Sequence, residues 1–274
     1  RTITISNGLT AHIRPEDHLW GPRDDFKGPF YSSSNCHFVS EIGYHGCPDV
    51  ESMKEMMNPE SLWPWQGNEE WLTHAVRPLQ EATAYNYRIK LMADQIEVIF
   101  KGSPENLEDF VSASQISQAE ALKYFIEKFR MGKFRKTGIL WWNLIDGWPE
   151  ISDAIVDYYY RRKIAYDYVK RIQRDVCVMC QEPVDGFHEV IAVNDTLKAV
   201  KGTMKISDAD TGKELFSKSF KIESNGKLSA GKVPVAKKQA FYIIEWELNG
   251  KKYMNHYLAG PRPFDLKQYR KWMK

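Results

Sequence analysis

Apolar residues recur at helical spacing in three stretches of the first part of the chain. In residues 70–100, 105–131 and 158–174 they return every third or fourth position, which predicts amphipathic helices. Two short apolar runs, at 36–46 and 138–143, are bounded by glycine or polar residues and predict strands. Because helix and strand alternate, this part of the chain is predicted to adopt an α/β fold.

The pattern changes after Asp175, where alternating segments are separated by turn sequences such as DADTG, SNG and LNG. About 85 residues of this kind predict a small antiparallel β-sandwich, of immunoglobulin type by its size and turn spacing. The final segment, FDLKQYRKWMK, is predicted to be a docking helix or an extended strap. We therefore predict two domains, residues 1–174 and 175–274.

Two stretches near the start of the chain predict a loop and a short helix. Residues 1–36 are rich in Gly, Pro, Asp and Ser and have little periodicity, which predicts a long surface loop with a function or a place in something larger. The segment DVESMKEMM begins with Asp49 as an N-cap and predicts a short helix. The chain begins at Arg1 without a methionine, as we expect of a processed or partial chain.

Composition and charge narrow the range of partners. The chain has 274 residues, of which 43% are hydrophobic, so a sizeable core is expected. The formal net charge is only +2 with both signs interleaved, so neither nucleic acid nor an anionic membrane is expected as the main partner. No apolar run of about 18 residues occurs, so no membrane span is predicted. The 13% of aromatic residues suits carbohydrate binding, because rings stack on sugar C–H faces, or a tryptophan-rich core.

Cys177 and Cys180 in CVMC have the spacing of a zinc or redox half-site. No second Cys or His pair at metal-ligand spacing completes it, and the segment begins a predicted strand, where positions three apart face opposite sides. We therefore expect ordinary part-buried thiols and no metal. No glycine-rich phosphate loop occurs either, so no cofactor is expected.

The candidate chemistry lies at the ends of the two predicted strands. Glu41 sits in an otherwise apolar strand that ends at Gly43, and carboxylates at the carboxyl ends of barrel strands build active sites. The alternative is a carboxylate paired with a nearby Arg or Lys. In GILWWNLIDGWPE, Trp142 is followed by Asn143 and Asp146, an aromatic surface with polar partners that suits an array of sugar hydroxyls.

Four motifs in order show a resemblance to glycoside hydrolase family 2, especially its β-mannosidase-like branch, over about residues 18–172. They are SEIGYHGCPD, SQISQAEALKYFIE, LWWNLIDGWP and AIVDYYYRRK. The resemblance implies an α/β plus β protein, the C-terminal part of a (β/α)8 TIM barrel followed by an immunoglobulin-like β-sandwich. It also implies a retaining exo-β-glycosidase that acts on a β-linked carbohydrate, with two carboxylates about 5–5.5 Å apart.

The resemblance assigns roles to particular residues. Glu41 corresponds to the nucleophile, Trp142 to the tryptophan that floors the sugar subsite, and Asp146 to the aspartate of an Asn-Asp pair. The chain departs from the family pattern at Ile145, where that pair has Asn, at Asn143, which replaces Gln, and at His45, where Gln is common. Such polar groups read the sugar hydroxyls, so β-galactosidase, β-glucuronidase and exo-β-glucosaminidase remain alternatives to β-mannosidase.

The acid/base glutamate of the resemblance belongs to an Asn-Glu pair upstream of the nucleophile. Asn68 and Glu69 form such a pair but follow Glu41, and we interpret them as a helix cap and first turn. A complete barrel needs about 250 residues and only about 170 precede the predicted sandwich, so we expect the first barrel strands to be missing and the chain alone to be catalytically incomplete. Exposed sheet edges would then favour self-association.

Two further classes remain open on the sequence. One is a non-catalytic carbohydrate-binding module that uses the sandwich and the tryptophans. The other is a plain sandwich linker with a helical cap, which leaves the SEIGY and WWNLIDGWP motifs unexplained.

Overall fold

The computed structural model describes residues 2–4, 10–12, 15–75 and 87–273. The chain divides into two compact units, residues 1–125 with 134–169 and residues 126–133 with 170–274. The first unit mixes helices and strands, and the second is built mainly of strands.

The first unit contains a three-stranded parallel sheet in the order β3, β4, β5. A separate antiparallel pair joins β1 and β2. The five strands are β1 (Thr2–Thr4), β2 (Thr10–His12), β3 (Glu16–His18), β4 (Phe38–Ile42) and β5 (Gly138–Trp141). The strand predicted at 36–46 is confirmed over residues 38–42, and the strand predicted at 138–143 is confirmed over residues 138–141. Three parallel strands fit an α/β unit, while the extension to a (β/α)8 barrel remains a prediction.

The prediction of one long loop over residues 1–36 is wrong, because it contains β1, β2, β3 and a short helix, α1 (Pro29–Ser32). β3 has the sequence EDH, with no apolar alternation to reveal it. Its hydrogen-bond partners come from β4, whose Phe38 and Val39 pair with Glu16 and Asp17. A strand made by tertiary pairing leaves little signal in its own sequence.

The remaining helices partly follow the predicted periodicity. They are α2 (Val50–Met56), α3 (Glu69–Thr73), α4 (Tyr87–Ile99), α5 (Leu107–Met131) and α6 (Ile164–Ile172), with a 3₁₀ turn at Pro59–Ser61. Of the helix predicted at 70–100, the described residues show a short helix that ends at Thr73 and a longer one from Tyr87 to Ile99, and residues 76–86 lie outside the described part. The helix predicted at 158–174 starts only at Ile164, because the Asp157 carboxylate accepts hydrogen bonds from the backbone N–H groups of Tyr159 and Arg161 and closes a turn.

Helix α5 is buried on all sides from residue 113 to residue 127, although its sequence pattern predicts one apolar face. Polar side chains of α5 donate hydrogen bonds to backbone carbonyl groups of neighbouring loops. Gln115 donates to Cys47 O, and Gln118 donates to the carbonyls of Asp153 and Ala154 at 2.8 and 3.1 Å. The SQISQ motif therefore fixes the loops that follow β4 and β5.

The second unit has two antiparallel sheets around one apolar core, with strand orders β10-β7-β6 and β12-β11-β8-β9. The core includes Val178, Met204, Phe220 and Trp246. Compared with the constant-type immunoglobulin order, the fourth strand, β9, lies in the opposite sheet. The strands are β6 (Val176–Cys180), β7 (Phe187–Asn194), β8 (Val200–Asp208), β9 (Glu214–Ile222), β10 (Lys227–Pro234), β11 (Ala240–Leu248) and β12 (Lys251–Ala259).

The C-terminal segment forms a helix, α7 (Leu266–Trp272), rather than an extended strap. Trp272 stacks on Phe241 of β11 and donates to Asp210 at 2.7 Å. The four cysteines are buried thiols. Across the described residues, no helix combines the length and apolar character needed to cross a membrane, and no group of three metal-ligating side chains occurs.

Candidate functional site

Glu41 lies near the carboxyl end of the central parallel strand, and its side chain is 35% exposed. The indole N–H of Trp20 donates to Glu41 Oε2 at 2.6 Å. His18 Nδ1, at the end of β3, is 3.4 Å from the same oxygen. Because parallel strands bring their carboxyl ends to one edge, β3 and the residues after it reach the Glu41 carboxylate.

Gly43 allows the aromatic groups around Glu41 to approach. A Cβ atom at this position would lie 2.7 Å from both the Trp142 carbonyl oxygen and the Trp20 ring. The Trp142 N–H also donates to Ile42 O at 2.7 Å, and the Trp142–Asn143 peptide bond is cis. Trp142 is 50% exposed, so much of its ring surface is available for stacking. The structure thus brings two of the predicted residues, Glu41 and Trp142, to one edge of the sheet.

His45 occupies a different environment from Glu41, since it is only 1% exposed. Its Nε2 atom accepts from Arg88 Nη1 at 3.2 Å and lies 3.7 Å from Asp153 Oδ2. Burial is the main cause that lowers the pKa of His45 to about 4, and Arg88 and Arg23 lower it further against Asp153. His45 is therefore neutral at neutral pH. Its predicted role in substrate binding stays a prediction, and the geometry favours a supporting one.

Asp146 is 4% exposed and accepts a hydrogen bond from Ser152 Oγ. Burial raises its pKa, with Lys163 and Ser152 opposing. Burial, followed by the charge of Asp146, raises the pKa of Glu150 to about 8. Two carboxyl groups in contact in a poorly solvated site share a proton, so this pair carries one negative charge near neutral pH. Asp146 Oδ2 has no hydrogen-bond partner among the described residues.

Asn143 is half-buried, and its backbone carbonyl accepts from Ile155 N at 3.1 Å. Its side-chain Oδ1 has no hydrogen-bond partner within the described ranges. This oxygen is buried, so the predicted role of Asn143 in substrate binding stays a prediction.

Lys163 joins the loops that follow β4 and β5, and sequence reasoning gave it no role. Its ammonium group is buried and donates to Gly46 O at 2.7 Å and to Ser152 O at 3.4 Å. Gly46 and Ser152 also form a backbone bridge. Lys163 therefore fixes the loop that carries His45 against the loop that carries Asp146.

The Asn68–Glu69 pair is a helix start, as predicted. Asn68 Oδ1 accepts from Glu70 N at 3.1 Å, and Asn68 Nδ2 donates to Ser61 O at 2.7 Å. These bonds cap α3, and Glu69 and Glu70 lie in its first turn.

The sequence reasoning missed His18, Trp20 and Arg23, because all three fall in the segment predicted to be a loop. Arg23 stacks over the Trp20 ring, with its Cζ atom 4.1 Å from the ring centroid. A local signal for them does exist in the sequence. The segment DHLWGPR, upstream of the strand that carries Glu41, concentrates titratable and aromatic side chains.

No model of a known protein family matches the chain. A β-mannosidase B of Aspergillus niger is 32% identical over 127 residues, which cover 40% of this chain and 15% of that protein. The exo-β-D-glucosaminidase of Amycolatopsis orientalis is 25% identical over 214 residues, 73% of this chain and 20% of that protein. The crystal structure of a β-D-mannosidase from Dictyoglomus thermophilum matches 91% of this chain and 31% of its own, with a TM-score of 0.77 and 28% identity.

These similarities relate the chain to the glycoside hydrolases. Within that class, the relationship is to the β-mannosidase-like enzymes of family 2, as the four motifs imply. The chain spans about a sixth to a quarter of the length of the curated relatives it matches.

Proposed function

We propose that the full-length protein is a retaining exo-β-glycosidase, most similar in activity to β-mannosidases, with Glu41 as its nucleophile. The observation that carries the proposal is the environment of the Glu41 side chain. This side chain is a partly exposed carboxylate at the carboxyl end of a parallel strand, held by an N–H donor and next to an exposed tryptophan.

The contacts of Glu41 suggest which oxygen reacts. Trp20 and His18 both contact Oε2, so we assign Oε1 to the attack on the anomeric carbon. In a double displacement, the bond from Oε1 to the anomeric carbon forms as the glycosidic bond breaks and the leaving oxygen takes a proton from a general acid. Water then cleaves the glycosyl-enzyme ester and restores the Glu41 carboxylate.

The sugar is placed by groups next to Glu41. The exposed ring of Trp142 is suited to stack against the apolar face of a pyranose. Asn143 follows Trp142 directly, and we propose that its amide oxygen, buried and unpaired in the described structure, turns toward a sugar hydroxyl on binding. Asp146 and His45 would contribute through the loops they stabilise.

The general acid is proposed to lie in a part of the protein that this chain does not contain, since Asn68 and Glu69 cap a helix. We propose that further strands extend the three-stranded sheet to a (β/α)8 barrel. Leu140, Trp142 and Leu144, at and just after the edge strand β5, are exposed in this chain. The chain alone would then be inactive, and these apolar residues would promote self-association.

A β-glucosaminidase activity is the second candidate, because the alignment with the Amycolatopsis orientalis exo-β-D-glucosaminidase covers 73% of this chain. The two activities differ in the group at sugar position 2, and a competition between mannoside and glucosaminide substrates would distinguish them.

The test is to incubate the full-length protein with 2-deoxy-2-fluoro glycosides of manno, gluco and galacto configuration and to locate the label by mass spectrometry. Label on the peptide that carries Glu41 is expected, and a Glu41→Gln variant should remain unlabelled. Label on another carboxylate would refute the assignment. No label with any reagent, together with sugar binding by calorimetry, would favour a carbohydrate-binding module.

A further inference from the structure

A continuous set of contacts leads from Glu41 into the interior of the first unit. Trp20 donates to Glu41 Oε2 at 2.6 Å, and the guanidinium carbon of Arg23 lies 4.1 Å above the Trp20 ring centroid. The indole can donate to Glu41 only while its plane keeps this orientation. The Arg23 guanidinium covers one face of that plane, so it limits rotation of the ring.

Arg23 is itself held at both its side chain and its backbone. The residue is 7% exposed, and its Nη1 atom lies 3.8 Å from Asp153 Oδ2. The Arg23 carbonyl accepts from Gln95 Nε2 at 2.6 Å. Its φ of 55° lies in the left-handed region, which a non-glycine residue adopts at some cost in energy. The surrounding contacts thus keep Arg23 in a conformation that places its guanidinium over Trp20.

Asp153 lies at the buried end of the contacts that lead from Glu41 through Trp20 and Arg23. Its Oδ2 atom is also 3.5 Å from Arg88 Nη1 and 3.7 Å from His45 Nε2. The buried carboxylate therefore has several basic partners, and its own main-chain carbonyl accepts from Gln118 of α5 at 2.8 Å. Such a cluster is rigid, because any movement leaves a buried charge poorly solvated.

We infer that Arg23 is a positioning residue for the Glu41 carboxylate and that it acts through Trp20. This inference rests on the proposed role of Glu41 as nucleophile. Arg23 does not contact the reacting atoms. It sets the direction of the Trp20 N–H, which in turn fixes Oε2 and leaves Oε1 aligned for attack. The competing explanation is that Arg23 serves only the stability of the first unit.

A double-mutant cycle in the full-length protein separates these explanations. The variants are Arg23→Met, Trp20→Phe and the double variant, with the rate of labelling by the reactive fluoro-glycoside and kcat measured for each. Misplacement of a reacting group by about 1 Å can cost about 100-fold, so we expect each single variant to lose about 10- to 100-fold in rate. The double variant should be no slower than Trp20→Phe, because Arg23 has no further route to Glu41.

Three controls keep the result specific. The final stoichiometry of labelling reports the folded fraction, so a loss through misfolding would reduce stoichiometry and leave the rate constant unchanged. Arg130→Met is the matched variant: Arg130 is a largely buried arginine of the second unit that pairs with Asp195. It should leave the labelling rate unchanged. Arg23→Lys keeps a cation near the ring and should recover part of the rate.

The outcomes are distinguishable. Label on Glu41 in the unmodified protein with multiplicative losses in the double variant would refute the inference and leave the proposed function intact. A lower stoichiometry at an unchanged rate in Arg23→Met would refute it in the same way. Absence of label in the unmodified protein would refute the proposed function and the inference together.

Discussion

The first unit holds carboxyl groups in two opposite environments. Glu41 is partly exposed at the edge of the sheet, where Trp20 and His18 contact one of its oxygens. Asp146 and Glu150 face each other in a poorly solvated loop, where burial raises the pKa of both. The same functional group is therefore partly exposed beside an N–H donor in one place and shares a proton with a second carboxyl group in the other.

The difference between these environments is what the proposed roles rest on. A nucleophile must be within reach of the substrate, and the proposal places it on the partly exposed Glu41 rather than on the buried pair. A buried pair that shares a proton is a poor nucleophile, but it can hold neighbouring loop residues together. Asp146 accepts a hydrogen bond from Ser152, and the charge of the nearby Lys163 opposes the rise in the pKa of Asp146. Substitutions on each side test this division.

The largest expected effect is on activity, at Glu41. Glu41→Gln in the full-length protein should lower kcat by at least about 1,000-fold, because the amide cannot form the glycosyl-enzyme. Its thermal unfolding should stay close to that of the unmodified protein, since the group is partly exposed. Glu55→Gln, an exposed carboxylate that pairs with Arg161, is the matched control and should keep full activity. Appreciable turnover by Glu41→Gln would contradict the assignment.

The next effect is on stability, at Lys163. Lys163→Met removes a buried ammonium group from two carbonyls and from the neighbouring carboxyl pair. Breaking a buried ionic arrangement from one side costs about 3–5 kcal/mol, so chemical unfolding should occur at clearly lower denaturant concentration. Lys54→Met removes an exposed lysine paired with Glu51 and should unfold like the unmodified protein. Equal stability of the two variants would show that Lys163 does not fix the loops.

A smaller effect on activity is expected at Trp142, which is exposed near Glu41. Trp142→Ala should raise KM about tenfold through lost stacking on the sugar, with less change in kcat. Tyr160→Ala removes another exposed aromatic ring and serves as the control. A loss confined to kcat would mean that Trp142 orders Glu41 rather than the sugar.

Sequence reasoning succeeded where a local pattern decides the structure. Local patterns predicted the strand that carries Glu41 and the strand that ends just before Trp142. They also predicted the capped start of α3 and the alternating strands of the second unit. The role of Glu41 as nucleophile follows from the resemblance of its strand to the family motif and stays a prediction.

Sequence reasoning failed where contacts between residues far apart in the chain decide the structure. Trp20 reaches Glu41 across 21 positions, and Arg23 reaches Asp153 across a far longer stretch, so neither contact leaves a periodic signal. The burial of His45 among Arg88, Asp153 and Arg23 is also not visible in the sequence, and its role in substrate binding stays a prediction. Gln115 and Gln118 interrupt the apolar pattern of α5, although the helix is buried there, because their amides satisfy loop carbonyls. These outcomes depend on packing that only the folded chain specifies.

The last expected effect is a pH dependence of stability, which comes from the buried pair. The pKa of Glu150 is raised to about 8 in the folded protein, against about 4.3 for an unfolded glutamate. The folded state therefore holds the proton more tightly, and its stabilising contribution is complete below about pH 4.3 and is lost as the pH rises through about 8. The unfolding temperature should decline between about pH 5 and 9, and Glu150→Gln should flatten this decline because the amide does not ionise. The exposed Glu60→Gln variant should keep the decline of the unmodified protein. A decline as steep in Glu150→Gln as in the unmodified protein would place the titrating group elsewhere and remove the contrast with Glu41.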